Sequence, residues 1–268
     1  MLPVAAALGY ATCVIHIYGL SPYITPISEA FDWSRAQTTM GLTIATLMQA
    51  LFSIPVGMAV DRWGPRRLGA FGVLLTAGAF ALIGTADGSP GNWYLLWLLM
   101  ALATLPVQAT VWTSAVASRF TTSRGLAFAV TLCGASIAQA LFPWLGARLI
   151  ADHGWQTAFA LQALIWIVLA FPVILIFFRG ARDGKDAVRN DQRAAFSWAE
   201  FRRSLSSTVY LRLFAASLML TFSMVALSIH FVPMLTGKGL SATEAGGIAS
   251  LIGIASIVGR LGTGALID

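Results

Sequence analysis

Apolar positions are grouped in long blocks along this chain, separated by short polar stretches. The blocks lie at 2–26, 38–60, 68–86, 93–118, 125–150, 157–178, 210–235 and 244–267. Each is close to the length of about 20 residues that a helix needs to cross a bilayer. Lipid offers no partner for backbone N–H and C=O groups, so each block is predicted to form a helix, which satisfies those groups internally. The pattern predicts an all-α membrane protein with eight spans.

Composition agrees with this prediction. Hydrophobic residues make up 57% of the 268 positions and charged residues only 10%, whereas soluble domains carry about 25% charged residues. The apolar blocks recur along the whole chain, which excludes a secreted protein with one cleaved signal peptide. Cys13 and Cys133 both fall inside apolar blocks, where small core residues are expected. No disulfide, metal site or cofactor is predicted.

The basic residues indicate topology. Thirteen of the 17 Lys and Arg residues lie in or beside the connections that follow spans 2, 4 and 6, and only Arg35, Arg148 and Lys238 lie in connections on the other side. By the positive-inside rule, the basic side is cytoplasmic. The N-terminus and the longest connection, 179–209, are therefore predicted to be cytoplasmic, in a bacterial inner (plasma) membrane. The net charge of +6 is explained by topology, and no nucleic-acid partner is predicted.

A weak internal repeat divides the chain. A shift of 207 residues aligns Pro26 with Pro233, Ser34 with Ser241, Gly57 with Gly264 and Asp61 with Asp268. Ser34 with Gln37, and Ser241 with Glu244, both have the spacing of a capping box at a helix start. We therefore expect a six-helix N-terminal bundle (1–178), a cytoplasmic linker (179–209) and the first two helices of a second bundle (210–268). That is eight of about twelve helices, and the second bundle is expected to continue past Asp268.

The connection between spans 2 and 3 carries the clearest motif. It reads Gly57-Met58-Ala59-Val60-Asp61-Arg62-Trp63-Gly64-Pro65-Arg66-Arg67. Gly57 is expected to permit close helix packing, Asp61 to place a carboxylate at a buried edge, and Gly64 with Pro65 to form a tight turn. The motif resembles the signature loop of the major facilitator superfamily. Gly264 and Asp268 are similar to the start of its second copy.

The resemblance implies a conformational role for this loop. In the family the loop is implied to hold the two bundles together on the cytoplasmic side when the transporter faces outward. The residues carried over are Gly57, Asp61, Arg62, Gly64, Arg66, Arg67, Gly264 and Asp268. Arg119, at the inner end of span 4, is the predicted partner of Asp61.

Three further loops narrow the resemblance. Phe31-Asp32-Trp33-Ser34-Arg35, Ser123-Arg124-Gly125-Leu126-Ala127 and His153-Gly154-Trp155-Gln156 are similar to loops of the monocarboxylate and oxalate/formate transporter branch. This resemblance implies a small organic anion as substrate, a mono- or dicarboxylate. Proton symport, exchange for a counter-anion and uniport all stay open.

Arg260 is the most informative single residue. It lies eight residues before Asp268, which is about 12 Å along a helix at 1.5 Å per residue, close to the bilayer centre. A charge there costs about 2.5–3.5 kcal/mol on insertion scales, so it should face a watery cavity or an anion. The resemblance implies that Arg260 binds the substrate carboxylate, and a guanidinium fork suits that geometry. The alternative is a structural ion pair.

Further polar and aromatic residues fall at similar depth. The predicted cavity residues are His16, Tyr18, Gln49, Gln108, Trp112 and Gln139. Tyr18 is included through the resemblance and the others through their depth alone, where a hydrogen bond to a neighbouring helix is the ordinary role.

The prediction is therefore a monomeric secondary carrier in the lipid bilayer, in which two bundles alternate around a central site. An exporter of drugs or metabolites with a structural Arg260 stays open, as does a truncated transporter without function. An enzyme is not predicted, because no paired carboxylates, metal cluster or nucleophile with its base is seen at membrane depth.

Overall fold

The structure is a computed structural model and describes residues 1–120, 123–179 and 206–267. Within these ranges the chain forms helices and short connections, with no strand. Asp268 and residues 180–205 of the predicted linker lie outside the described residues. The α-helices are α1 (Leu2–Cys13), α2 (Ile15–Tyr18), α3 (Ile24–Phe31), α4 (Arg35–Leu51), α5 (Ser53–Trp63), α6 (Pro65–Ile83), α7 (Pro90–Thr104), α8 (Ala109–Ala117), α9 (Arg124–Phe177), α10 (Thr208–Thr236) and α11 (Ala242–Ile267), with 3-10 turns at Ser21–Tyr23 and Leu105–Val107.

Long apolar helices dominate the described residues. Five stretches are long and apolar enough to cross a membrane, and the number rises to seven if each of two bent pairs forms one span. The pairs are Leu2–Cys13 with Ile15–Phe31, bent by 49°, and Arg35–Leu51 with Ser53–Trp63, bent by 58°. These helices coincide with the apolar blocks of the sequence, so the predicted all-α membrane fold is confirmed.

Helix α9 is too long for a single span. Its 54 residues measure roughly 80 Å at 1.5 Å per residue, more than twice the hydrocarbon thickness of about 30 Å. Gly154 interrupts it with φ 77° and ψ 160°, a backbone conformation that is almost restricted to glycine. The break leaves two apolar stretches, 124–153 and 155–177.

Prolines explain the interruptions in the first, second and fourth apolar blocks. Proline lacks an N–H and its ring clashes with the carbonyl four residues earlier. Helix α2 ends at Tyr18, four residues before Pro22, and α4 ends at Leu51, four residues before Pro55. Helix α7 ends at Thr104, two residues before Pro106. All three breaks therefore follow from local sequence.

Both predicted capping boxes are present. At the start of α4, the Ser34 N–H donates to Gln37 Oε1 over 2.9 Å, and the Gln37 N–H donates to Ser34 Oγ over 3.3 Å. At the start of α11, the Ser241 N–H donates to Glu244 Oε2 over 3.0 Å, and the Glu244 N–H donates to Ser241 Oγ over 3.3 Å. Two helix starts 207 residues apart are thus built alike.

Buried contacts fix α1 and the following turn against the second stretch of α9. Tyr23 stacks on Phe159 with ring centroids 3.9 Å apart, and its hydroxyl donates to Gln162 Oε1 over 2.8 Å. Near the other end of the block, Trp166 Nε1 donates to Thr12 Oγ1 over 2.9 Å. These side chains hold the first apolar block in a fixed position, from which Tyr10 and Tyr18 reach the site described below.

The tight turn predicted at Gly64 and Pro65 is confirmed. Gly64 has φ 80° and ψ 151°, and Pro65 occupies the first turn of α6. We expect Gly64→Ala to lower the free energy of unfolding by about 1–3 kcal/mol, because an L side chain is strained in this conformation. A thermal melt of the purified protein in detergent would measure the change.

Gly57→Ala is the control for that substitution. Gly57 lies inside helix α5, and no described atom lies within 4 Å of a Cβ added there. Its melting temperature should stay equal or rise, since alanine is favoured over glycine in helices by about 1 kcal/mol. Equal losses in the two variants would show that the Gly64 conformation is not special.

Candidate functional site: a polar seam around Arg260

Helix α11 runs antiparallel along the first stretch of α9. A Cβ at Gly253 would collide with the backbone of Ala140, and a Cβ at Gly264 would collide with Ala129. Towards the other end, a Cβ at Gly246 would lie 2.9 Å from the Pro143 carbonyl oxygen. Small residues permit this approach of two helix backbones. The contact brings the polar residues of α11 onto those of α9.

Arg260 lies on α11 and is half-buried. Its Nε donates to Ser256 Oγ, one turn earlier on the same helix, over 3.4 Å. The side chains of Tyr10, Tyr18 and Cys133 lie within electrostatic range of its guanidinium. The arginine therefore faces the first apolar block and the first stretch of α9.

Side-chain hydrogen bonds connect the first six apolar blocks to α10 and α11. Ser136 Oγ and Ser256 Oγ lie 2.9 Å apart, and Gln139 Nε2 donates to Ser228 Oγ over 3.2 Å. Ser21 Oγ donates to the Ile229 carbonyl over 2.7 Å. We give the name polar seam to Arg260, the two tyrosines near it, and the four side chains that join α9 to α10 and α11; it comprises Tyr10, Tyr18, Ser136, Gln139, Ser228, Ser256 and Arg260.

Within residues 1–120, 123–179 and 206–267, no carboxylate forms an ion pair with Arg260, whereas the exposed Arg148 pairs with Asp152 at 3.1 Å. The terminal nitrogens of Arg260 likewise make no hydrogen bond in the described part of the chain. A half-buried guanidinium with two free terminal nitrogens is suited to hold an anion in bidentate fashion.

A second polar cluster lies where three interrupted helices meet. Gln49 Nε2 donates to Thr104 Oγ1 over 3.1 Å and lies 3.4 Å from Nε2 of the fully buried His16. Gln108 Nε2 donates to the Gln49 carbonyl over 3.2 Å. Each of these residues lies within four positions of a helix break. Interrupted helices near mid-membrane often bind solutes in transporters.

The structure thus distributes the predicted cavity residues over three places. Arg260, Tyr18 and Gln139 belong to the polar seam, whereas His16, Gln49 and Gln108 form the second cluster. Trp112 is fully buried, donates from Nε1 to the Val107 carbonyl over 2.8 Å, and packs against Phe178. A Cβ at Gly9 would collide with its ring, so Trp112 fills space between helices.

Tyr10, Ser136, Ser228 and Ser256 are members of the seam that the sequence did not single out as cavity residues. Ser256 lies four residues before Arg260, a spacing that places both on one helix face. That spacing was a usable signal for Ser256. Tyr10 and Ser136 become recognisable only when the tertiary contacts of α1, α9 and α11 are known.

The loop between α5 and α6 differs from expectation in two respects. Asp61 is exposed, so the predicted buried edge is wrong, because α5 ends at Trp63 and carries Asp61 to the surface. Close packing at Gly57 is not found, since no described atom lies within 4 Å of an added Cβ there. The equivalent position of the repeat, Gly264, is buried and packs on Ala129.

The basic residues of this loop have different surroundings. Arg66 Nη2 donates to the Leu175 carbonyl over 2.9 Å and so connects α6 to the last turn of α9. Arg62, Arg67 and Arg119 are exposed. Pairing of Arg119 with Asp61 stays a prediction.

Long apolar helices that enclose buried polar clusters make this an integral membrane protein. The model of the Major Facilitator Superfamily matches residues 6–268, and the chain therefore belongs to that superfamily. A relative in Bacillus subtilis (strain 168), described as the uncharacterized MFS-type transporter YcxA, is 21% identical over 254 residues. The matched region is 92% of this chain, and the chain spans 59% of the length of that relative.

Proposed function

We propose that the protein is a secondary transporter that moves a small organic anion, a mono- or dicarboxylate, across the bacterial inner membrane by alternating access. The observation that carries this proposal is the state of Arg260: half-buried, inside a helix long and apolar enough to cross a membrane, and without an acidic partner among the described residues. An arginine inside a membrane is costly, and such residues usually serve substrates or ions.

The chemistry of the seam favours a carboxylate. Arginine presents a planar fork of donors that matches the two oxygens of a carboxylate, and it stays charged at every physiological pH. The phenols of Tyr10 and Tyr18, on which the guanidinium acts electrostatically, supply further hydroxyl donors for a bound anion. Superfamily membership adds the expectation of transport.

Eight membrane spans are proposed: one from each of the two bent pairs, two from α9, and the four formed by α6, by α7 with α8, by α10 and by α11. On this account the first six form a bundle (1–178), 179–209 is a cytoplasmic linker, and 210–268 begins a second bundle. The hydrogen bonds of Ser136, Gln139 and Ser21 to α10 and α11 then cross between bundles. Alternating access requires such contacts to break and form in each cycle.

The loop of Gly57, Asp61, Arg62, Gly64, Arg66 and Arg67, with Arg119, is proposed to control the closure of the cytoplasmic side. Asp61 is exposed near the end of α5 and is proposed to interact with the second bundle when the cytoplasmic side closes, and Gly264 with Asp268 would form the matching element of the repeat. A proton or a counter-anion is the proposed coupling partner, and the transporter is proposed to act as a monomer.

Export of drugs or metabolites is the competing function. It assigns Arg260 a structural role, which calls for an acidic partner, and no described carboxylate forms an ion pair with this residue. Transport of a small organic anion is therefore the function that we propose.

Uptake by reconstituted protein tests the proposed function. Proteoliposomes containing the full chain should accumulate ¹⁴C-labelled oxalate or pyruvate in a saturable manner, with inhibition by unlabelled small carboxylates and none by cationic dyes. This preference for carboxylates is expected because the uncompensated guanidinium of Arg260 in the polar seam repels cations. Protein-free liposomes provide the background. Extrusion of a cationic dye without carboxylate uptake would contradict the proposal and favour the exporter.

A further inference from the structure

Ser256 shares its hydroxyl between two partners on different helices. Its Oγ accepts a hydrogen bond from Arg260 Nε over 3.4 Å and lies 2.9 Å from Ser136 Oγ on α9. A hydroxyl has one donor and two acceptor sites, so Ser256 can accept from Arg260 and donate to Ser136 at the same time. The three side chains form a continuous chain from α9 to the guanidinium.

This chain is held in place by the surrounding backbones. Ser136 is only 1% exposed, and Ser256 lies between the contacts of Gly253 with Ala140 and of Gly264 with Ala129. The Cys133 Sγ lies 4.0 Å from the Ile257 carbonyl in the same region. The two hydroxyls therefore meet in a part of the helix pair that leaves little freedom for rearrangement.

The contact also decides which donors of Arg260 are available. A guanidinium has five N–H donors, one on Nε and two on each terminal nitrogen. The Nε donor is engaged by Ser256, which leaves the two terminal nitrogens for a ligand. A carboxylate would then bind end-on to those nitrogens, with its plane fixed by the plane of the guanidinium.

We propose that Ser136 and Ser256 are positioning residues that orient Arg260 for end-on binding of a carboxylate. Ser256 fixes the guanidinium plane through Nε, and Ser136 fixes Ser256 against α9. This inference rests on the proposed function, since it specifies how the same site recognises its anion. It also connects anion affinity to the contact between α9 and α11, because separation of these helices would remove Ser136 from Ser256.

The test compares KM with maximal rate for ¹⁴C-oxalate and ¹⁴C-pyruvate in proteoliposomes of the full chain. Ser256→Ala should raise KM by roughly 5- to 10-fold and leave the maximal rate within about two-fold, because loss of one hydrogen bond to a charged group weakens binding on this scale. Ser136→Ala should change KM in the same direction by a smaller factor. Ser256→Thr keeps the hydroxyl and should restore KM to within about two-fold of the unchanged protein.

Ser250→Ala is the matched control. Ser250 lies on the same helix, is also half-buried, and donates only to the carbonyl of Gly246, over 3.0 Å. Its removal deletes a hydroxyl from α11 without reaching Arg260, so KM should not change. If Ser256→Ala yields no folded protein, Ser136→Ala carries the test from the other helix.

Arg260→Lys, measured in the same series, distinguishes the positioning role of the two serines from the proposed carboxylate site. A raised KM in Arg260→Lys with a normal KM in Ser256→Ala would overturn the positioning role and keep the carboxylate site. Equal defects in Ser256→Ala and Ser256→Thr would also overturn it, because packing and not the hydroxyl would then matter. A normal KM in Arg260→Lys, or no transport of either anion by the unchanged protein, would overturn both.

Discussion

Replacement of Arg260 by lysine is expected to lower Vmax/KM for carboxylate uptake by roughly 100-fold, the largest effect that we predict for one charge-conserving change. Removal of one partner from a buried, hydrogen-bonded charge pair costs about 2–5 kcal/mol, and about 1.4 kcal/mol corresponds to a factor of ten. Lysine keeps the positive charge and loses the planar fork. Initial rates of uptake into proteoliposomes over a range of anion concentrations would measure the change.

Arg148→Lys is the control for this experiment. Arg148 belongs to an ion pair with Asp152, and the two side chains are 59% and 40% exposed. Exposed pairs of this kind contribute about 0–1 kcal/mol, so uptake should stay within about two-fold of the unchanged protein. Equal rates in Arg260→Lys and Arg148→Lys would show that the guanidinium of Arg260 has no special role in uptake.

Gly134→Val is expected to prevent correct assembly of the site. A Cβ at Gly134 would collide with the carbonyl oxygen of Ala7 and lie 3.0 Å from the backbone nitrogen of Ala11. Backbone atoms cannot move aside as a flexible side chain can, so α1 would have to separate from α9. Overpacking typically costs about 1–3 kcal/mol or more, and a loss of 3 kcal/mol corresponds to a decrease of roughly 6–12 °C in melting temperature. Thermal melts and size-exclusion profiles in detergent would record it.

The matched control is Gly78→Val on α6. Gly78 is exposed, and no described atom lies within 4 Å of a Cβ added there. The two variants add the same side chain to a helix, so the intrinsic helix preference is equal and only the contact with α1 differs. A melting temperature for Gly134→Val equal to that of Gly78→Val would contradict the close packing of α1 on α9.

Local rules accounted for the helical architecture. The apolar blocks located the helices, and Pro22 and Pro55 stand four residues after the last residues of α2 and α4. The spacing of Ser34 and Gln37 identified a capping box that the structure contains. These features depend on residues within one or two helical turns, which the sequence displays directly.

Tertiary contacts explain what the sequence did not reveal. Asp61 was expected at a buried edge and is exposed, because burial depends on which helix covers the end of α5. The link from Ser136 to Ser256 joins residues 120 positions apart, and no local pattern relates two serines at that separation. Trp112 has the depth of a cavity residue, yet it packs in the core, because depth along a helix does not determine the direction in which a side chain points.

In the proposed transporter, the polar seam would link anion binding to conformational change. Arg260 contacts Ser256 on its own helix, and Ser256 contacts Ser136 on α9. An anion bound at Arg260 would therefore affect the contact between the proposed bundles. A ligand shifts a conformational equilibrium when it binds one arrangement of the bundles more tightly than the other. On this account the substrate itself favours the approach of α11 to α9.

Equilibrium binding of ¹⁴C-oxalate and ¹⁴C-pyruvate to the purified full chain tests the central claim most directly, because it needs neither a coupling ion nor a complete transport cycle. We predict saturable binding of at least one of the two anions to the unchanged protein and to Arg148→Lys, with affinity weakened by roughly 100-fold in Arg260→Lys, because lysine loses the planar fork that pairs with both carboxylate oxygens. Equal dissociation constants in all three proteins would contradict the assignment of Arg260 as the anion-binding residue.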